Sequence, residues 1–150
     1  MRSRLLSDRD GTRSFVVALE TGERLIESVR RFAAEQGLAA SEFTAIGALA
    51  SARLAYFDWE SKDYVDIPVR EQVEIASLNG RITRPEGDAG DPHLHVHCVL
   101  SRADGAAIAG HLMEAEVRPT AEVFLADSPS RLHRRIDPES GLAVIDPDLE

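Results

Sequence analysis

The segment His93-Leu94-His95-Val96-His97-Cys98-Val99-Leu100 alternates imidazole with aliphatic side chains, the period of a β-strand with one buried face. On an extended backbone His93, His95 and His97 project from one side. Leu94, Val96, Cys98 and Leu100 line the other, which reads as core. A turn signal follows at Ala103-Asp104-Gly105, and a fourth imidazole, His111, lies beyond it. If those three residues form a hairpin loop, Arg102 pairs with Ala106 and the ladder sets His97 opposite His111. Directly opposed residues hold their Cβ atoms about 4.5–5.5 Å apart, close enough to share one ion. A two-residue Asp-Gly loop instead shifts the register by one and separates that pair.

Around this hairpin the chain reads as strands with one main helix. Residues 14–20 are β-branched and apolar, a strand. Thr21 is placed to cap a following helix and Glu23 to sit in its first turn. Leu25, Ile26, Val29, Phe32 and Ala33 recur at helical spacing, and Gly37 suits the C-terminal cap. Residues 43–58 read as a strand in which Gly47 marks a bulge or a close backbone approach. Ser61-Lys62-Asp63 forms a turn, and residues 64–67 a short return strand that Pro68 interrupts. Residues 73–82 are a further strand, with Asn79-Gly80 a bulge or turn. Residues 83–92 form a polar, mobile loop, the histidine hairpin spans 93–112, and 116–126 is a last long strand. The stretch from about 127 to 150 holds three prolines and many charges and reads as an extended, partly ordered arm. The expectation is a single domain covering 1–150, α+β, with a mostly antiparallel sheet packed with one main helix.

At 43% hydrophobic and 29% charged residues the composition is that of a soluble globular protein. No apolar run approaches membrane-spanning length, and Met1-Arg-Ser-Arg-Leu-Leu-Ser-Asp8 lacks the hydrophobic centre of a secretion signal. A single cysteine, Cys98, excludes an intrachain disulfide and points to a reducing cytoplasm; on the inward face it reads as a small buried hydrophobe. The chain carries 26 acids against 17 bases, a net charge of −9, which disfavours strong nucleic-acid binding by this chain alone. A local cluster of Arg131, Arg134 and Arg135, with Arg118 nearby in sequence, reads as a solvated or subunit-facing surface. His133, among these arginines, reads as a surface residue.

Neutral imidazole is the commonest ligand for zinc and similar divalent ions. Three histidines plus a water make a catalytic-type shell, whose bound water is acidified. The competing reading is a polar strand face whose histidines bond to carboxylates or water. Glu74, Glu114 and Glu122 could support such a site. Glu74 and Glu122 lie inside otherwise apolar strands, a costly place for an unpaired carboxylate, and are the candidates for proton transfer. Outward-facing glutamates on a solvated sheet fit the same pattern. Arg118 could receive the carboxylate or phosphate of a small anionic ligand, or form a salt bridge at a subunit contact. No Ser-His-Asp set and no phosphate-binding glycine-rich loop is present at interpretable spacing.

A set of motifs then runs through nearly the whole chain: Leu19-x-x-Gly22-Glu23, Ile46-Gly47-Ala48-Leu49, Glu74-x-x-Ser77-Leu78-x-Gly80, His95-Val-His97-Cys-Val-Leu100, Gly110-His111-Leu112 and Thr120-Ala-Glu122-Val. In these it resembles the PPC domain family of plants and prokaryotes. Val117-Arg-Pro-Thr120, followed by Ser128-Pro129 and Leu132, is similar to the stand-alone bacterial members. The resemblance implies an α+β fold assembling as a homotrimer. Aligned on Leu100, it makes His95, His97 and His111 the metal shell and leaves His93 as an extra imidazole, a secondary ligand or an outer partner. Plant members grip the minor groove with an Arg-Gly-Arg-Pro hook; this chain has Thr83-Arg84-Pro85 and no such segment. The hairpin alone is also similar to that of acetolactate decarboxylases, which are zinc enzymes. Three functions follow: a trimeric zinc-binding domain, a metal-dependent lyase or hydrolase acting on a small oxo- or hydroxy-acid, or a DNA-associated regulatory protein.

Overall fold

Most of the chain alternates buried and exposed side chains, and most of it is accordingly strand. The computed structural model describes residues 1–85 and 90–149. Along it run β1 (Arg2–Arg9), β2 (Thr12–Glu20), α1 (Leu25–Gln36), β3 (Ala40–Asp58), β4 (Asp63–Val69), β5 (Val73–Thr83), β6 (His93–Ser101), β7 (Ala107–Asp127), β8 (His133–Ile136) and β9 (Ala143–Asp146). The first seven form one sheet in the order β1-β2-β7-β6-β5-β3-β4. Its neighbouring strands pair antiparallel throughout. β3 also pairs antiparallel with β7, so β3, β5, β6 and β7 close a circuit of ladders around the core. With one helix packed on this sheet, the fold is α+β.

Closing that circuit requires the two longest strands to bend, and Gly47 is where β3 does so. Its φ of 140° is out of reach for most L-residues, and the register slips on both sides of it. A Cβ there would stand 2.3 Å from the Thr120 carbonyl oxygen, so Gly47 is both a bulge and a close approach. The helix lays Leu25, Val29, Phe32 and Ala33 against the same core, with Phe32 edge-on to Phe15 of β2 at 5.3 Å. Burying each of the larger side chains contributes about 1.5–3 kcal/mol. Gly37, at φ 64°, ends the helix as expected.

Several expectations are corrected. Thr21 does not cap α1: the helix starts after extended Arg24 with no side-chain cap, and Thr21 Oγ1 donates to the Pro119 carbonyl at 3.3 Å. Glu23 precedes the helix and binds the N-terminal ammonium at 2.7 Å. Pro68 does not interrupt β4, because that strand lies on the sheet edge where a missing N–H leaves no ladder bond unmade. Asn79-Gly80 makes neither turn nor bulge; β5 runs straight through it, and its irregularity falls between Ile75 and Ser77. The second hairpin strand and the last strand are one, β7. Strand β1, joined to β2 by Asp10-Gly11 with both φ values positive, had no counterpart in the sequence reading. Of the polar loop expected at 83–92, Thr83 ends β5 and Arg84 bridges to His133, while residues 86–89 lie outside the described residues. Beyond Asp127 the stretch expected as an arm carries the two-stranded β8–β9 sheet. Among the described residues no helix is long and apolar enough to cross a membrane.

Candidate metal centre

The loop of the β6–β7 hairpin is the three-residue one. The Arg102 N–H donates to Ala106 O at 2.8 Å and the Gly105 N–H to Arg102 O at 2.9 Å, with Gly105 at φ 83°. The ladder then pairs Ser101 with Ala107 and, at its far end, His97 with His111. Past His111, β7 leaves β6 and runs along β3, where His111 pairs with Ala55. Gly110 permits this crossing, since a Cβ there would meet the Ala55 carbonyl oxygen at 2.9 Å. His95, two residues before His97 on the same face, thus overhangs the place where β7 departs.

The result is a cluster. His95, His97 and His111 each present a ring nitrogen, and the three nitrogens lie within 4.8 Å of one another. Nε2 of His95 and Nε2 of His97 are 3.0 Å apart. Zinc bound tetrahedrally by imidazoles at about 2.0–2.1 Å separates its ligand nitrogens by about 3.3 Å, so the donor set fits with small adjustments of the rings. His93 is not part of this group.

At His93, His95 and His111 the surroundings favour the neutral imidazole, the form that binds metal. Burial pushes His111 down to about 4, helped by the nearby His95, His97 and His93. Burial also takes His93 down to about 4, with Arg134 the leading charge against it. His95 is lowered by burial, then by His97, Arg134 and Arg81. Cys98 faces the other way, 4% exposed, its thiol pushed up to about 11 by burial.

The three rings stand on the wall of a cavity of about 830 Å³ shared with His93, Tyr64, Arg134, Leu142, Val144 and Ile145. The Tyr64 ring lies 5.2 Å from that of His111. Arg134, expected on a solvated or subunit-facing surface, is 5% exposed; its Nε donates to Thr83 Oγ1 at 2.8 Å and its Nη1 to the Ala143 carbonyl at 2.5 Å. His133, expected at the surface, is likewise buried. Glu74, Glu122 and Arg118 are exposed and are not among the residues lining the cavity. Glu114 is ion-paired with Arg24. The histidine wall is thus legible in the sequence, and the wall formed by β8 and β9 is not. A signal for it existed: Gly141, at φ 74°, sits between Leu132–Ile136 and the apolar run Leu142–Ile145, the layout of a hairpin.

A mostly antiparallel closed sheet with one helix and a histidine-bearing hairpin defines a class. Residues 6–129 match the Plants and Prokaryotes Conserved (PCC) domain, and the chain belongs to that family. Among solved structures it is similar to a metal-containing protein from Archaeoglobus fulgidus, at 34% identity over 88% of this chain and 91% of that one, TM-score 0.80. It is similar also to a plant- and prokaryote-conserved protein from Pyrococcus horikoshii (28% identity, 97% and 94% covered, TM-score 0.82). A candidate DNA-binding protein from Bacteroides thetaiotaomicron follows at 27% identity, 96% of both chains and TM-score 0.85. A Staphylococcus aureus protein similar to α-acetolactate decarboxylase shares the fold alone, at 16% identity, 75% and 51% coverage and TM-score 0.54. Among curated proteins none matches.

Proposed function

We propose that this chain is a homotrimeric protein that binds one divalent ion per subunit, zinc, through His95, His97 and His111. The observation that carries it is the convergence of three ring nitrogens within 4.8 Å on a cavity wall. Imidazoles fixed on two hydrogen-bonded strands are preorganised donors, and the similar Archaeoglobus protein is described as metal-containing. When bound, zinc would supply Lewis acidity. The chain's own part is to fix three donors on two paired strands, on a cavity they share with Tyr64 and residues of β8 and β9.

Ligands facing a cavity favour a site that meets a small molecule over a purely structural one, which keeps metal-dependent lyase or hydrolase chemistry as the second reading. Glu74 and Glu122 stand outside that cavity and are set aside as its proton-transfer groups. The DNA-associated reading ranks below both, since a net charge of −9 opposes phosphate contact. Trimer formation has support in Ile46 and Phe124, 61% and 52% exposed on neighbouring strands β3 and β7, an apolar surface suited to a subunit contact. The test is elemental analysis of protein purified without chelator, combined with light-scattering mass. About one zinc per chain in a trimer is expected; a metal-free protein that takes up no added zinc overturns the metal reading, and a monomer overturns the assembly.

A further inference from the structure

We infer that the cavity binds a small organic carboxylate, received by Arg134 of the C-terminal hairpin beside the three-histidine centre. Arg134 carries the argument. Its guanidinium belongs to a residue only 5% exposed, and both of its hydrogen bonds go to neutral oxygens, the Thr83 hydroxyl and the Ala143 carbonyl. No carboxylate pairs with it among the described residues. A buried charge without a counter-charge is costly, and removing it from water is offset only when an anion arrives. Nη2 is left to donate, and a planar guanidinium matches a carboxylate.

The neighbourhood adds to this. Nδ1 of His93, on the same cavity, is buried and has no hydrogen-bond partner among the described residues, a second polar group awaiting one. Elsewhere the wall is apolar: Leu142, Val144 and Ile145 from β9 and its approach, with Phe57 and Tyr64 from the β3–β4 hairpin. That lining favours an organic anion with an apolar body over inorganic phosphate. Arg134 and β9 both lie beyond residue 129, outside the stretch that matches the family domain. The histidine wall thus lies within the matched domain stretch, and the anion-selecting wall comes from the C-terminal sheet that follows it.

The inference rests on the proposed metal reading for the second positive charge on the cavity, and the two can fail separately. The experiment is calorimetric titration of zinc-loaded protein with butanoate and with its uncharged isostere butanamide, in wild type and in Arg134→Met, zinc content being measured in each. Butanoate should bind wild type roughly tenfold or more tightly than butanamide, the ratio falling to within about threefold in Arg134→Met at unchanged zinc content. Equal affinities in wild type, or an unchanged ratio in a zinc-replete Arg134→Met, overturn the inference while leaving the metal site standing. If Arg134→Met does not fold, wild type stripped with chelator decides: a preference of about threefold or more that survives stripping belongs to Arg134, and one that vanishes was the metal's alone. Absence of zinc from wild type overturns the metal reading and leaves the stripped-protein comparison to judge Arg134.

Discussion

Gly80→Ala should destabilise this protein although it adds one methyl to an ordinary extended strand. Gly80 pairs with Phe43 across β5 and β3, and the phenyl ring lies over it. A Cβ at Gly80 would stand 2.1 Å from Phe43 Cζ and 2.2 Å from Cε1. Carbon atoms rest at about 3.5–4.0 Å, so the ring must retreat by about 1.5 Å. Phe43 is 1% exposed within the core and has nowhere to retreat without displacing its neighbours. Overpacking of this kind costs about 1–3 kcal/mol, and the entropy that alanine removes from the unfolded chain returns about 0.4–1 kcal/mol. A net loss of about 1.3 kcal/mol lowers Tm by about 3–5 °C for a chain of this size. The assay is urea denaturation of Gly80→Ala, Phe43→Leu and the double variant at one fixed protein concentration. Removing the ring should make the alanine nearly harmless, giving a coupling of about 1.3 kcal/mol in the double-mutant cycle. The effect reaches the site as well, because β5 positions β6 through the pairs Asn79–His97 and Arg81–His95; zinc affinity should fall in Gly80→Ala with every ligand intact. A change under about 0.5 kcal/mol, or equal losses in both backgrounds, refutes the reasoning.

Other variants probe other links. His97→Ala should abolish zinc binding while His93→Ala keeps most of it, read by metal content after dialysis; equal losses would mean that the donor set is drawn wrongly. Asp127 is 4% exposed and accepts from Arg13 and Ser41 at 2.6 Å each, so Asp127→Ala, which leaves the buried Ser41 hydroxyl without its acceptor, should cost about 1–3 kcal/mol in urea denaturation. Cys98, with its thiol raised to about 11, should resist a disulfide reagent near neutral pH until the protein is unfolded. Metal-free protein should lose stability as pH falls from about 6.5 toward about 4: His93 and His111 take up protons there in the unfolded chain before they do in the folded one. A urea midpoint that stays flat across that window would contradict the burial of these rings.

How much of this was legible in the sequence differed by segment. The histidine hairpin was legible down to a choice of two registers because its information is local: a strict two-residue period, then a loop whose Asp104 and Gly105 suit the turn, and the structure takes the three-residue loop, with the Ala106 N–H donating to Asp104 Oδ1 at 2.9 Å. Helix α1 was legible for the same reason, though its start was not, since Thr21 is drawn to Pro119 across the fold. Gly80 misled because its partner, Phe43, is far away in sequence, and a glycine kept for a ring reads locally like one kept for a turn. Strand β1 is exposed along nearly all its length and shows no alternation to detect. The C-terminal sheet hid behind prolines and charges, and with it Arg134. A single arginine among three looks like solvated or subunit-facing surface until Thr83, 51 residues away, and Ala143, on the paired strand, are seen to hold it against the cavity.

Three imidazoles from β6 and β7 are proposed to share one cation. A crystal of the protein purified without chelator, measured on both sides of the zinc absorption edge, tests it directly. The account predicts one anomalous peak per subunit, about 2.0–2.1 Å from a ring nitrogen of each of His95, His97 and His111. A peak bound elsewhere, or rings turned apart with no common centre in zinc-replete crystals, would contradict it.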